Sequence, residues 1–137
     1  MSTRSRIGIY KNGRVESVYC HYDGYPSYVG TVLFKHYNNK EKVQKLINLG
    51  DISILGETTT FDTNGNIGTR DYNRWRNEKT KKRIDNGIKE YKKKIGFNWE
   101  QYLYLFKNNK WYVYDECDYK KFTPLEEIEE CKEEEEK

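Results

Sequence analysis

The sequence of 137 residues contains only two prolines, two histidines and three cysteines. The cysteines are Cys20, Cys117 and Cys131. Their odd number and wide spacing argue against a disulfide framework and against a CxxC metal or redox motif. No run approaches the roughly 20 apolar residues that span a bilayer, and no apolar signal region follows Met1. We therefore expect a cytoplasmic protein with reduced thiols and no membrane partner.

The motifs of several enzyme and cofactor-binding classes are also missing. The chain has no GxGxxG, Walker or GxSxG sequence. Of the two histidines, His36 falls on the apolar stripe of a predicted helix, where a core histidine is commoner than a metal ligand. The sequence therefore predicts no metal ion, no cofactor and no enzymatic activity.

Aromatic residues replace the aliphatic residues that this sequence has in small number. Apolar residues make up 35% of the chain and charged residues 34%, and the mean hydropathy is -1.10. Such a balance is typical of disordered chains, but 13 Tyr, 5 Phe and 3 Trp supply apolar surface for a core. The length fits one domain.

The pattern of elements predicts an α+β domain. Two alternating runs at 6–11 and 14–21 flank Asn12-Gly13, and two more at 101–107 and 110–115 flank Asn108-Asn109, which is the pattern of two hairpins. Between them we expect helices at 27–37 and from Asn38 to Gly50, and a short strand near 52–55. The predicted fold has an antiparallel sheet of these N- and C-terminal hairpins, with helices packed on one face. It spans residues 1–125, and 126–137 form an acidic tail.

A basic segment follows in the middle of the chain. Apolar spacing predicts a long helix over about 71–95, weakened at Gly87. Eleven basic and four acidic residues give 70–94 a local net charge of +7, which favours a polyanionic partner. A solvated face and an acidic protein partner are the alternatives. The candidate binding residues here are Arg70, Arg74, Trp75, Lys81, Lys82 and Arg83.

The densest group of functional side chains lies where the second strand ends and the first helix begins. We predict that His21, Asp23 and Tyr25 converge there in a binding site near the helix N-terminus. The structural alternative is that Asp23 caps the turn or the helix N-terminus and that His21 bonds a backbone carbonyl. A catalytic His-Asp pair is a third interpretation. Strand alternation turns Cys20 away from His21, which disfavours a thiolate nucleophile.

Four tyrosines mark the C-terminal hairpin. Alternation with leucine and valine predicts one aliphatic face and one tyrosine face. Cross-strand aromatic pairing explains most of this pattern, and base stacking on an exposed sheet is the sharper alternative. These tyrosines are Tyr102, Tyr104, Tyr112 and Tyr114.

Several stretches carry a resemblance to a family. They are Met1-Ser-Thr-Arg-Ser-Arg-Ile-Gly-Ile, Val18-Tyr-Cys-His-Tyr-Asp-Gly-Tyr-Pro and Tyr102-Leu-Tyr-Leu-Phe. Over residues 1–56 and 100–114 the chain resembles small accessory proteins of phages and prophages, although its middle, 69–74, departs from their Arg-Asp-Arg-Gly-rich pattern. The resemblance implies a phage origin and an accessory role, of which blocking host defence is a common kind.

From this resemblance and the charge pattern we expect a non-catalytic, anti-CRISPR-like protein in the cytoplasm of the bacterial host. Its partner would be a host defence protein or ribonucleoprotein effector, bound through the basic helix and exposed aromatic side chains. The first alternative is a sponge for a cyclic or ADP-ribose-derived signalling nucleotide. Its pocket would contain His21, Asp23, Tyr25 and arginines of 70–76 at a homodimer interface. The second alternative is a nucleotide-processing enzyme that uses His21 and Asp23.

Overall fold

A computed structural model describes residues 3–56, 70–71, 82–97, 99–116 and 121–128. The strands are β1 (Ser5–Lys11), β2 (Arg14–Cys20), β3 (Ile52–Ile54), β4 (Arg70–Asp71), β5 (Arg83–Asp85), β6 (Tyr102–Lys107), β7 (Lys110–Tyr114) and β8 (Thr123–Pro124). The helices are a π-helical turn (Pro26–Gly30) continuing into α1 (Thr31–His36), then α2 (Lys40–Asn48), α3 (Ile88–Lys93) and a 3₁₀ turn (Leu125–Glu127). The α+β class is confirmed.

The strands form one mixed, mostly antiparallel sheet in the order β4-β3-β2-β1-β6-β7-β8, with β5 beside the first half of β2. The two predicted hairpins are its centre, and they are joined by parallel pairing of β1 with β6. Ser5 is therefore level with Cys20 on one side and with Tyr102 on the other. This register brings the beginnings of β1 and β6 and the ends of β2 and β7 to the same end of the sheet.

Both hairpins turn as their sequences predict. Asn12 and Gly13 have φ values of 51° and 77°, and Asn108 and Asn109 have 53° and 60°. Two consecutive residues with positive φ are typical of the type I′ turn, whose twist matches that of the flanking strands. Asparagine and glycine tolerate this backbone better than other residues.

The sheet has a core on each face. The larger core packs β1, β2, β6 and β7 against α1 and α2, which carry the buried Leu33, Val43 and Leu46. The smaller core lies on the opposite face, where Tyr91 of α3 packs near Gly8 and Leu105. The prediction of helices on one face thus holds for α1 and α2, whereas α3 covers the other face.

Where the structure describes it, the helix predicted over 71–95 is confirmed only at Ile88–Lys93 and is wrong before that point. Arg83–Asp85 is a strand that pairs with β2, and helix begins only at Ile88. Gly87, with a φ of 111°, separates the two elements, so the predicted weak point is where helix and strand meet. Residues 72–81 of the predicted helix lie outside the described residues.

The beginning of the predicted acidic tail is folded. Leu125–Glu127 forms a 3₁₀ turn, and Leu125 and Ile128 are buried in the larger core. Lys110 of β7 also contacts Glu126, with 3.0 Å between Nζ and Oε1. The spacing of Leu125 and Ile128 in the sequence predicts one helical turn at this position. The remainder of the tail, from 129 onward, lies outside the described residues.

Candidate interaction surface

Two loops meet the N-terminal segment at the end of the sheet that Ser5, Cys20 and Tyr102 define. The first, residues 21–25, follows β2, and we call it the junction. The second, residues 94–101, precedes β6, and we call it the aromatic loop. The Gly24 N–H donates to the Thr3 carbonyl at 2.8 Å, and the Gln101 N–H donates to the Arg4 carbonyl at 2.8 Å. Because β2 and β6 flank β1, about 10 Å separates them across the sheet.

Gly24 fixes the junction to the sheet. Its carbonyl accepts a hydrogen bond of 2.6 Å from the buried Tyr104 hydroxyl on β6. A Cβ atom at this position would lie 2.7 Å from Ser5 Cβ and 2.8 Å from the Thr3 carbonyl oxygen. Glycine is therefore the residue that allows this close approach.

His21 makes local contacts with two tyrosines. Its Nδ1 lies 2.8 Å from the Tyr19 hydroxyl, and its ring meets the Tyr22 ring edge-on at 4.6 Å. Partial burial, together with the positive charge of Arg4, lowers the pKa of His21 below its usual 6.5. At neutral pH the ring is therefore neutral and acts through hydrogen bonds and stacking instead of charge.

Asp23 and Tyr25 form a second pair in the junction. The Tyr25 hydroxyl donates to Asp23 Oδ1 at 3.3 Å. The negative charge of Asp23 raises the pKa of Tyr25, with burial adding to the effect. The alternative that Asp23 caps the helix is wrong, since the N-cap position belongs to Tyr25 and has no side-chain cap. The predicted trio thus lies within one junction as two contacting pairs, His21 with Tyr19 and Asp23 with Tyr25.

Cys20 is not a nucleophile in this fold. Its side chain lies in the larger core, on the opposite side of the strand from His21, as alternation predicts. Burial raises the pKa of Cys20 from 9.0 to about 12. The thiol is therefore protonated at any physiological pH.

The aromatic loop contains two residues that the sequence analysis did not single out. Phe97 is 79% exposed and Trp99 is 76% exposed. The loop around them is nonetheless held in place, because the Phe97 N–H donates to the Lys94 carbonyl at 3.1 Å and the Trp99 N–H to the Gly96 carbonyl at 3.0 Å. The sequence signal that could have identified them is the presence of two large aromatics within three residues after Gly96, beyond the last residue of the apolar stripe.

Exposed apolar side chains are concentrated at this end. The described residues include five large hydrophobic side chains that are exposed, and four of them lie in the junction or the aromatic loop. The fifth, Ile84, is in β5, opposite Glu16 of β2 and away from both loops. The four, which we call the aromatic surface, are Tyr22, Tyr25, Phe97 and Trp99.

Two of the basic candidates, Lys82 and Arg83, are engaged in ion pairs within the fold. Lys82 contacts Glu16, with 2.9 Å between Nζ and Oε1. Desolvation opposes ionisation of Glu16, but hydrogen bonds from Lys82 and its neighbours outweigh it and lower the pKa of Glu16. Arg83 contacts the fully buried carboxylate of Asp85 at 3.0 Å, and Lys94 contacts the other oxygen.

Of the four remaining candidates in the basic segment, the structure describes one. Arg70 is placed only as a strand residue of β4, beside β3. Arg74, Trp75 and Lys81 lie outside the described residues. The candidate surface is therefore the junction with the aromatic loop, and the basic segment contributes ion pairs that hold β5 and α3 in place.

Two searches of the described residues and three comparisons with known proteins complete the description. No cluster of three or more His, Cys, Asp or Glu side chains suited to a metal ion occurs among the described residues. In the same residues, no helix has the length and apolar character required to cross a membrane. A scan against protein-family models and searches of the curated proteins and the solved structures find no match to the chain.

Proposed function

We propose that this protein is a non-catalytic binding protein that blocks a host defence effector during phage infection, with the aromatic surface as its contact site. The phage setting comes from the sequence resemblance, and its site of action is the cytoplasm of the infected bacterium. The binding role rests on the side chains at one end of the sheet. In this proposal the principal contact is no longer the predicted basic helix. It is the aromatic surface, which consists of Tyr22, Tyr25, Phe97 and Trp99.

The observation that carries the proposal is the concentration of exposed aromatics in loops held by hydrogen bonds. Full burial of one such side chain is worth about 1.5–3 kcal/mol, so the fold forgoes most of this stabilisation at Phe97 and Trp99 and part of it at Tyr22 and Tyr25. Trp and Tyr are also the residue types that dominate binding energy at protein interfaces. Since the backbone of both loops is bonded to the N-terminal segment, little ordering entropy opposes association.

A protein partner fits these residues better than a nucleotide does. Histidine and tyrosine at the junction are partnered within the protein, and the pKa of His21 is lowered, so it offers no positive charge to a phosphate at neutral pH. The three basic side chains Lys82, Arg83 and Lys94 contact carboxylates of the fold. A nucleotide sponge needs several positive charges at its pocket, whereas Arg4 is the basic group whose charge acts on His21.

The test is phage plating on a defended host that expresses the protein. We expect the wild type to raise the efficiency of plating, and a variant with serine at all four positions of the aromatic surface to lose this effect. Ile84→Ser is the matched control, because it also removes an exposed large apolar side chain, but in β5. Melting temperatures of purified variants verify that the fold is intact.

Two results would contradict the proposal. Full activity of the four-serine variant would exclude the aromatic surface as the contact site. Release of an intact nucleotide on heat denaturation of protein purified from infected cells would favour the sponge instead.

A further inference from the structure

The end of the sheet opposite the aromatic surface is basic. Both hairpin turns lie there, because β1 and β6 run parallel, and each turn is flanked by two basic residues that pair across the hairpin. Lys11 lies opposite Arg14, and Lys107 lies opposite Lys110. Their strands are adjacent in the order β2-β1-β6-β7, so the four residues span about 14 Å across the sheet. We call these four residues the basic end.

The pairing of like charges at the basic end is unfavourable for the fold. Side chains in direct opposition on an antiparallel pair lie close together, and like charges there destabilise the sheet. An acidic residue at one position of each pair would remove this repulsion, yet both central hairpins have basic residues at both positions. An anion bound from outside would relieve the repulsion.

Two of the four residues have carboxylate partners within the fold. Lys11 contacts Glu16, with 3.3 Å between Nζ and Oε2, and Glu16 also contacts Lys82 at 2.9 Å. One carboxylate is therefore shared by two lysines. Lys110 contacts Glu126 at 3.0 Å. Lys11 and Lys110 are accordingly not counted as groups that hold an outside ligand.

Arg14 and Lys107 supply the charge that is left. Arg14 is exposed, and neither residue contacts a carboxylate in the part of the chain that the structure describes. The Lys107 Nζ lies 5.4 Å from the centroid of the Tyr10 ring. This cation–π contact leaves the positive charge unneutralised, because the ring carries no net charge. Both residues therefore keep a full positive charge for an anion.

An aromatic ring lies beside these charges. Tyr112 is two residues after Lys110 on β7, so the two side chains are on the same face of the sheet. Tyr112 is half-buried, and within the described ranges its hydroxyl has no hydrogen-bond partner and its ring contacts no other ring. Basic side chains that follow a backbone, together with a ring on which a base stacks, are typical of proteins that bind single-stranded nucleic acids. An acidic protein segment would match the charge and make no use of the ring.

We propose that the basic end binds a single-stranded nucleic acid, with its phosphates at Arg14 and Lys107 and one base stacked on Tyr112. Arg14 alternates with Val15 of the smaller core, and Lys107 alternates with Phe106 of the larger core, so the two charges lie on opposite faces. The backbone of the ligand would therefore cross the edge of the sheet over the exposed turns.

The inference rests on the proposed function for the source of this ligand, which is a nucleic acid strand of the defence effector complex. Strands of this length separate the basic end from the aromatic surface by about 20 Å. A ribonucleoprotein effector would thus contact the aromatic surface through its protein and the basic end through its nucleic acid.

Fluorescence anisotropy of the purified, full-length protein tests the basic end. The probes are fluorescein-labelled oligo(U) and oligo(dT) of about 12 nucleotides, a length within the site size of single-strand binders. We expect saturable binding that weakens about sevenfold when salt rises from about 50 to about 200 mM, as two phosphate contacts to a single strand predict. Tighter binding of oligo(U) assigns the site to RNA, and tighter binding of oligo(dT) assigns it to DNA. Absence of saturable binding to both probes, or equally effective competition by oligoglutamate of the same charge, would overturn the proposal.

Charge variants locate the phosphate contacts. Arg14→Gln/Lys107→Gln should lose most of the salt dependence and bind about sevenfold more weakly at low salt. Lys93→Gln/Lys121→Gln is the matched control, because it makes the same change in net charge at two exposed residues nearer the other end of the sheet. This control should keep the wild-type affinity. Equal weakening in the two double variants would show attraction by net charge alone and overturn the site.

Variants of Tyr112 test the stacking contact. Tyr112→Leu removes the aromatic ring and should weaken binding at least about fivefold without changing the salt dependence, whereas Tyr112→Phe keeps the ring and should bind like the wild type. Melting temperatures verify that both variants are folded. Equal affinities of folded Tyr112→Leu and Tyr112→Phe would overturn the assigned role of the ring.

Failure here is distinguishable from failure of the proposed function. If the four-serine variant loses activity in the plating assay and neither oligonucleotide binds the wild type, the aromatic surface stands and the nucleic acid site is rejected. If the oligonucleotides bind as expected while the four-serine variant keeps full plating activity, the basic end stands and the aromatic surface is excluded as the contact site.

Discussion

The hydrogen bond from Tyr104 to Gly24 connects the junction to the sheet, and its removal is predicted to loosen the junction. Tyr104→Phe deletes one oxygen and preserves the ring packing in the larger core. The Gly24 carbonyl is then buried without this donor, which is 2.6 Å away in the wild type. A buried group left unsatisfied costs about 1–3 kcal/mol. For a domain of this size the melting temperature should fall by about 4–10 °C.

Tyr112→Phe on β7 is the matched control. It deletes the same atom from a half-buried tyrosine, whose hydroxyl has no hydrogen-bond partner in the described part of the chain. Thermal denaturation followed by circular dichroism should show a change of less than about 0.5 kcal/mol for this variant. Hydrogen exchange should also accelerate at the Gly24 amide in Tyr104→Phe. Equal melting temperatures for the two variants would refute the assigned role of the bond.

Three other predictions concern packing and reactivity. Gly24→Ala should destabilise the fold by about 1–3 kcal/mol in urea denaturation, because its Cβ would lie 2.8 Å from a backbone oxygen. Arg83→Glu should cost at least about 1.5 kcal/mol, since it sets a second carboxylate against the buried Asp85, whereas Lys82→Glu, more exposed, should cost under about 1 kcal/mol. Cys20, in a background with serine at the other two cysteines, should resist iodoacetamide at pH 8 and react only after denaturation, because its pKa is raised to about 12.

The sequence predicts local structure well where one residue type determines the backbone. Asn12-Gly13 identifies the first hairpin because few other pairs adopt two positive φ values. Gly50, with a φ of 83°, ends α2 as predicted. At the other end the helix is predicted to start from Asn38, whereas its cap is Asn39, whose side chain accepts a hydrogen bond from the Lys42 amide at 2.9 Å. Local signals therefore place elements to within about one residue here.

Properties that depend on pairing across the sheet were harder to predict. The four tyrosines of the C-terminal hairpin do not share a face, because the two-residue turn pairs Tyr104 with Val113 and Leu105 with Tyr112. Tyr104 consequently points into the larger core, and Tyr114 into the smaller one. In this register each even-numbered residue lies opposite an odd-numbered residue of the other strand. The even-numbered tyrosines of the two strands therefore lie on opposite faces of the hairpin, and the prediction of a single tyrosine face is wrong.

Residues 83–85 were assigned to a helix because the apolar spacing around them is helical, whereas they pair with the open edge of β2. Arg83–Asp85 pairs with β2 at Val15–Ser17, a long-range contact that the local pattern does not contain. His21, Asp23 and Tyr25 lie in one loop because they cluster in the sequence, and their role in binding stays a prediction. Phe97 and Trp99 were missed because their exposure depends on how the aromatic loop attaches to Arg4.

The most direct test of the account is site-specific photocrosslinking in infected, defended cells. Benzoylphenylalanine placed at Trp99 should form one discrete adduct with a host protein, and deletion of that protein should remove the effect of the wild type on phage plating. The same crosslinker at Ile84, which is also exposed, should form no such adduct. An adduct formed at Ile84 and not at Trp99, or an adduct with nucleic acid in place of protein, would contradict the account.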